Sequence, residues 1–273
     1  MAARGLSACR PMPLAEQPVR HQRAEGSVLL RTGPRGLVRM REAHSAKVRM
    51  PAGGNEAILI NTSGGLAGGD RFDYDIGTTP RTHLTVTTQA AERVYRSLGP
   101  AADVAVRLSA EAGSSLFWLP QEMILFEGAS LSRRYEVDLA PDARFLGVES
   151  VVLGRAAMGE TVTAVSLRDR WRIRRAGKLI FADELALSGL PPASPATLGE
   201  AGAFATIILA AEDPERLLDP VRAAMGDAGS ASAWSGKLVA RLSAKDGFDL
   251  RKALIPALSV LARPVSLPKV WSL

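Results

Sequence analysis

The chain has 273 residues, 47% hydrophobic and 23% charged, with a formal net charge of +6 and one cysteine, Cys9. A chain of this size buries roughly three quarters of its unfolded surface without disulfide staples. One cysteine excludes an internal disulfide framework and fits a reducing compartment. No apolar run follows Arg4 and Arg10 at signal-peptide length, and none approaches the ~20 residues of a membrane span. The expectation is a cytoplasmic protein with no membrane partner. The basic balance suits either nucleic acid or an acidic protein.

Residues 1–23 are rich in Ala, Pro and Arg without periodicity and predict a flexible tail, followed by one domain over 24–273. Short strands then succeed one another. "RFDYDI" sets Phe72, Tyr74 and Ile76 on one face. "HLTVTT", "ADVAVRLSA" and "RRYEVDL" also alternate, and turns such as "LAPDAR" separate the runs. Residues 190–203, with three prolines, predict a loop. "EDPERLLDPVRAAMGDAG" predicts a helix near Asp213–Met225, capped by Asp213 and kinked or split at Pro220. "AWSGKLVARLSA" predicts one strand, and Leu250, Leu254, Leu258 and Leu261 lie at helical spacing within Asp246–Ala262. The fold class is mainly β with two late helices.

Four glycines fall within Gly64–Gly69, directly before Asp70. The spacing matches a P-loop, but Asp70-Arg71 replaces Lys-Ser/Thr, and a carboxylate there repels phosphate. A strand follows, so no helix N-terminus receives an anion. No glutamate closes a calcium loop at Leu84. The structural reading is a turn in which backbone passes close to backbone. No G-x-S-x-G or H-E-x-x-H occurs, and His21, His44 and His83 are widely spaced. A tight zinc site is therefore not expected.

Arg168, Arg170, Arg172 and Arg174 alternate along one strand face. A two-residue turn at Ala176-Gly177 places Arg172 opposite Phe181, Arg170 opposite Asp183, Trp171 opposite Ala182 and Asp169 opposite Glu184. Facing carboxylates need solvent, a nearby arginine or a bound cation. The stripe keeps open a polyanion-binding β-module, although aromatics are only 5% of the chain. A polysaccharide-cleaving β-helix would need paired carboxylates in an aromatic groove.

"NTSGGLAGGDRFDYDI" followed by "TTQAAERVYRS" resembles the UreD (also called UreH) family of urease accessory proteins. So do "LPQEMILFEGASLSRRYEVDLAPDARFLGVESVVLGRAAMGE", "RDRWRIRRAGKLIFADELAL" and the terminal "LPKVW", in the family's order from about Gly26 onward. "EAHSAKVRMP" departs by lacking the Gly-Pro-Leu that many members carry after the histidine. The resemblance implies a single domain of stacked, β-helix-like strands with two C-terminal helices. It implies a scaffold, not an enzyme, between urease apoprotein and a UreF–UreG complex in which UreG is the nickel-carrying GTPase. No cofactor is expected to bind tightly, with nickel in transit only, and nucleic acid is not an expected partner. The family's internal passage suggests Asp70, Glu92, Glu149, Asp183 and Glu184 as transient nickel ligands, and Leu254 and Leu258 on the UreF-facing side.

Overall fold

The computed structural model describes residues 23–53, 55–155, 159–190, 194 and 197–272. The expected tail lies outside the described residues except for Arg23, and so does part of the expected 190–203 loop, whose residues 197–200 form a turn.

Two sheets face each other. One has the order β14 (Lys178–Ser188), β13 (Ser166–Arg175), β11 (Ser130–Leu139), β8 (Ala102–Ala110), β5 (Arg71–Thr78), β1 (Glu25–Gly33), β2 (Gly36–His44). The second has the order β16 (Gly229–Trp234), β17 (Lys237–Ala244), β15 (Ala203–Ala210), β12 (Arg144–Leu153), β9 (Ser115–Leu119), β6 (His83–Thr88), β4 (Glu56–Asn61), β3 (Ala46–Arg49). Two short strands, β7 (Glu92–Val94) and β10 (Met123–Leu125), extend from β12, with β10 between β12 and β7.

From β4 to β13 the chain passes repeatedly between the two sheets, so strands adjacent in one sheet belong to successive coils. The contacts β1–β5, β5–β8, β8–β11 and β11–β13 are all parallel, as are β4–β6, β6–β9 and β9–β12. Parallel pairing needs a long crossover, and here the opposite sheet supplies it. The result is the expected mainly β, stacked, solenoid-like fold with two helices near its C-terminus.

Burial follows the layers. β11 and β13 alternate, with Leu131, Tyr135, Val137, Leu167, Trp171 and Ile173 pointing into the space between sheets. β12 is buried continuously from Phe145 to Val151, the signature of a strand covered on both faces. Its outer cover is α1 (Leu218–Met225) and α2 (Gly247–Ala262), which form a second core against β12, β15 and β17. Trp271 closes that core from the chain end, its indole N–H donating to the Leu119 carbonyl at 3.0 Å.

Several local expectations are corrected. Asp213 does not cap: it has φ 46°, its side chain makes no cap bond, and its carboxylate pairs with Arg216. A 3-10 turn over Pro214–Leu217 precedes α1, so Pro220 lies in the first turn, where a helix needs no N–H donor. Asp246 does cap α2, accepting from the Asp249 N–H at 2.9 Å. "AWSGKLVARLSA" contains a hairpin rather than one strand, because Ser235 (φ 49°) and Gly236 (φ 73°) make a tight left-handed turn between β16 and β17. The β13–β14 register is shifted by a bulge after Ile173. Ile173 faces Phe181, Arg172 faces Ala182, Trp171 faces Asp183 and Arg170 faces Glu184. Asp169 faces Leu185, and the expected carboxylate pair does not form.

Leu254 and Leu258 are fully buried in the second core. They hold α2 on the sheet and are not surface contacts. Leu254→Ala is expected to cost about 2–5 kcal/mol through lost packing and the cavity left behind. A chemical denaturation midpoint equal to that of the unsubstituted protein would contradict this placement.

Candidate functional site

The glycine loop is fastened to its surroundings on both sides. Leu66 forms a parallel bridge with Val94, and backbone bonds join Leu66 N–H to the Arg93 carbonyl and Tyr95 N–H to the Leu66 carbonyl. A Cβ on Gly65 would come within 2.4 Å of the Tyr95 ring, and one on Gly68 within 1.9 Å of Ser97 Oγ. Gly65 and Gly68 are thus required by close approach, as the turn reading expected. Asp70 is buried and ties the loop to the strand entering the fold. Its Oδ1 accepts from Ala24 N–H at 2.8 Å and its Oδ2 from Ala67 N–H at 2.7 Å. It lines a surface cleft of about 540 Å³ with Glu25, His44, Ser63 and Tyr95.

Glu92 follows on β7, beside this loop. Asn61 Nδ2 donates to both its carboxylate oxygens at 3.2 Å and to the Gly65 carbonyl at 3.0 Å. Burial pushes the Glu92 carboxyl up to about 7, against the lowering effect of the Asn61 hydrogen bond. Together with Leu59, Tyr74 and Thr88, Glu92 lines both a surface cleft of about 180 Å³ and an interior cavity of about 50 Å³ between the sheets. The cavity is also lined by Trp118, Gln121, Arg133 and Tyr135. Trp118 Nε1 and Gln121 Nε2 are buried donors with no protein acceptor, and a cavity with such groups suits water or another polar occupant.

Beyond the cavity lies a buried charge cluster. Arg133 reaches Asp169, its parallel neighbour on β13, at 2.8 Å and Glu149 on β12 at 2.6 Å, so one guanidinium joins the two sheets. The Tyr135 hydroxyl donates to Glu149, and its ring stacks on Trp171 with centroids 3.9 Å apart. Burial pushes the Glu149 carboxyl up to about 8, outweighing the attraction of Arg133. Burial likewise raises the Tyr135 hydroxyl.

Of the five acids suggested from sequence, the fold aligns three. The Asp70 loop hydrogen-bonds to β7, β7 carries Glu92, and β10 joins β7 to β12 two residues beyond Glu149. Asp183 stands at the far edge, opposite Trp171 and bonded to Arg241 at 2.7 Å across the two sheets. Glu184 is turned to the outer face and pairs with Arg168 at 2.7 Å, because adjacent strand residues point in opposite directions. Sequence reading missed Arg133 as a site residue and put Asp169 in the wrong company. Both occupy the apolar phase of their strands, between Leu131 and Tyr135 and between Leu167 and Trp171. Opposite charges at inward positions were the available signal.

Among the described residues no group of three or more His, Cys, Asp and Glu side chains is placed to hold a metal ion. No described helix is long and apolar enough to cross a membrane. The family described as UreD urease accessory protein matches residues 22–272. The chain belongs to the UreD family. It is 47% identical over 279 residues to the "Urease accessory protein UreD" of Agrobacterium fabrum, covering 98% of this chain and 97% of that one. The protein of the same name from Rhizobium johnstonii is 48% identical over 96% of this chain and 100% of its own. That of Paracoccus denitrificans is 45% identical over 98% and 99%. The cavity and charge cluster of this UreD-family chain therefore belong to a urease accessory protein.

Glu149 and Glu92 also set a pH dependence. Both carboxyls titrate higher in the folded chain than the ordinary 4.5. The folded state retains protons that the unfolded state loses, so their contribution to stability is complete below about pH 4.5 and is lost as pH rises toward about 8. Glu149→Gln is expected to flatten the fall of unfolding free energy between about pH 5 and pH 8, measured by urea denaturation at each pH. An unchanged slope would mean that Glu149 is already ionised in the folded protein.

Proposed function

We propose that this chain is a non-catalytic scaffold that joins urease apoprotein to a UreF–UreG complex, and that nickel crosses its interior on the way to the urease active site. The observation that carries this reading is Glu92, a carboxyl that burial pushes up to about 7, at the junction of a surface cleft and a mostly apolar cavity between the sheets into which a few polar groups, Gln121, Arg133 and Tyr135, also face. A transit path needs oxygen ligands that bind and release, whereas a thiolate or imidazole cage traps the ion. Near its titration point Glu92 exchanges a proton for a divalent cation at modest cost.

In this reading Asp70 shapes the outer cleft and offers its remaining lone pairs, Glu92 receives the ion, and Glu149 continues the path. UreG, as the GTPase, supplies the nickel in the cytoplasm. The helical layer faces UreF through outward residues such as Phe248, which is 63% exposed, while Leu254 and Leu258 keep the helix seated.

Glu92→Gln preserves shape and an acceptor for Asn61 while removing the ionisable group. It is expected to assemble with purified UreF, UreG and urease apoprotein, yet to leave urease several-fold short of nickel by metal analysis. Asp70→Asn is expected to behave in the same direction with a smaller deficit. Full nickel loading by both variants would end the case for an interior route and leave the scaffold role to be judged on assembly alone.

A further inference from the structure

The proposed route leaves one feature unused, the free edge of the seven-stranded sheet. Among the described residues β2 pairs with β1 alone, and no strand pairs with its other backbone edge. Among the described residues nine large hydrophobic side chains are exposed, and Leu37, Val38 and Met40 place three of them within four consecutive positions of this strand. Edge strands are normally guarded by charge, bulges or proline. A bulge is present at Val38, but apolar side chains surround it.

The two faces of this edge differ. Leu37 and Met40 lie opposite Thr32 and Leu30, which are fully buried, so both overhang the core side of the sheet. Arg39 and Arg41 lie opposite Arg31 and Leu29 on the outer side. Arg31 is neutralised by Asp75 at 2.7 Å. Arg35, Arg39 and Arg41 have no ion pair among the described residues. The far end of β2 is tied down instead, with Glu42 accepting from the Val48 N–H and from Arg49. The unsupported part is therefore the stretch that carries the apolar residues and the free arginines.

We propose that β2 is a docking edge for another protein, which adds an extended segment with apolar side chains toward Leu37 and Met40 and Asp or Glu toward Arg39 and Arg41. Strand addition draws affinity from main-chain bonds and specificity from alternate side chains. A second copy of this chain would set arginine against arginine, which is unfavourable for directly opposed charges. A nucleic acid would neutralise the arginines and leave Leu37 and Met40 in water. The inference rests on the scaffold reading, since the segment belongs to one of the proteins being joined.

The test uses the full chain, purified urease apoprotein and the purified UreF–UreG complex. Arg39→Glu with Arg41→Glu, and separately Leu37→Ser with Met40→Ser, are expected to weaken binding to one of these partners roughly tenfold or more and to spare the other. All four positions are exposed, so unfolding midpoints should stay at the unsubstituted value. In the unsubstituted complex, alternate amides of Gly36–His44 should gain hydrogen-exchange protection, a readout that needs no substitution. Unchanged affinities for both partners with unprotected β2 amides would overturn the docking edge and leave the scaffold reading intact. If the unsubstituted chain binds neither partner, the scaffold reading fails first and this partner assignment fails with it. Salt-sensitive capture of duplex DNA, or a dimer of the chain alone, lost in the Arg39→Glu/Arg41→Glu variant with no effect on partner binding, would assign the edge to a polyanion or a second copy and overturn the proposal.

Discussion

The guanidinium of Arg133, buried between a carboxylate on each sheet, is the constraint around which the middle of the molecule is arranged. A charge removed from water is tolerated only when paired and hydrogen-bonded, and stripping one partner from such a pair costs about 3–5 kcal/mol. The pairing is directional. It fixes β11 against β13 within one sheet and against β12 in the other, and a slip of one residue would turn each charge to the wrong face. The stacked Tyr135 and Trp171 rings and the hydroxyl bond to Glu149 complete the same contact. One arginine faces two acids, and burial, helped by the nearby Asp169 charge, raises the Glu149 carboxyl against the pull of Arg133.

Much of this was legible in the sequence, and for identifiable reasons. Strands such as Ala102–Ala110 announce themselves because alternation and turn residues are local signals. The mainly β class with two late helices followed from the same signals, and the stacking of coils came from family resemblance. What failed depended on non-local or subtle geometry. A bulge after Ile173 cannot be seen in alternation alone, so every pairing beyond it was misassigned. Ser235-Gly236 has the chemistry of a hairpin turn, but it sits between apolar residues, Ala233 and Trp234 before and Leu238 to Ala240 after, that read as one strand. The acids were harder still. Glu92 is distinguished from Asp73 by burial beside Asn61, a partner 31 residues away, and spacing says nothing about that.

The layers divide the surface into unlike parts. The part of one sheet around β12, β15 and β17 is covered by helices, and β12 is correspondingly buried from Phe145 to Val151. The opposite sheet is bare on its outside, where Arg168 pairs with Glu184 and Arg172 donates to the Trp171 and Asp183 carbonyls. A stripe that looks like a polyanion site in the sequence is thus partly neutralised within the fold. Arginines without an ion pair among the described residues also gather at the β2 edge, as Arg35, Arg39 and Arg41.

The seat of Trp271 has a consequence for how the chain is made. Its indole reaches back to the carbonyl of Leu119, 152 residues earlier, and the Val270 carbonyl accepts from Arg251 on the helix above. A ribosome therefore releases nearly all the coils before the group that completes the second core exists. Until Trp271 is in place, the second core lacks its indole and the Leu119 carbonyl lacks that donor. A chain lacking Trp271 would keep every strand and lose the side chain that joins the end of the described residues to β9.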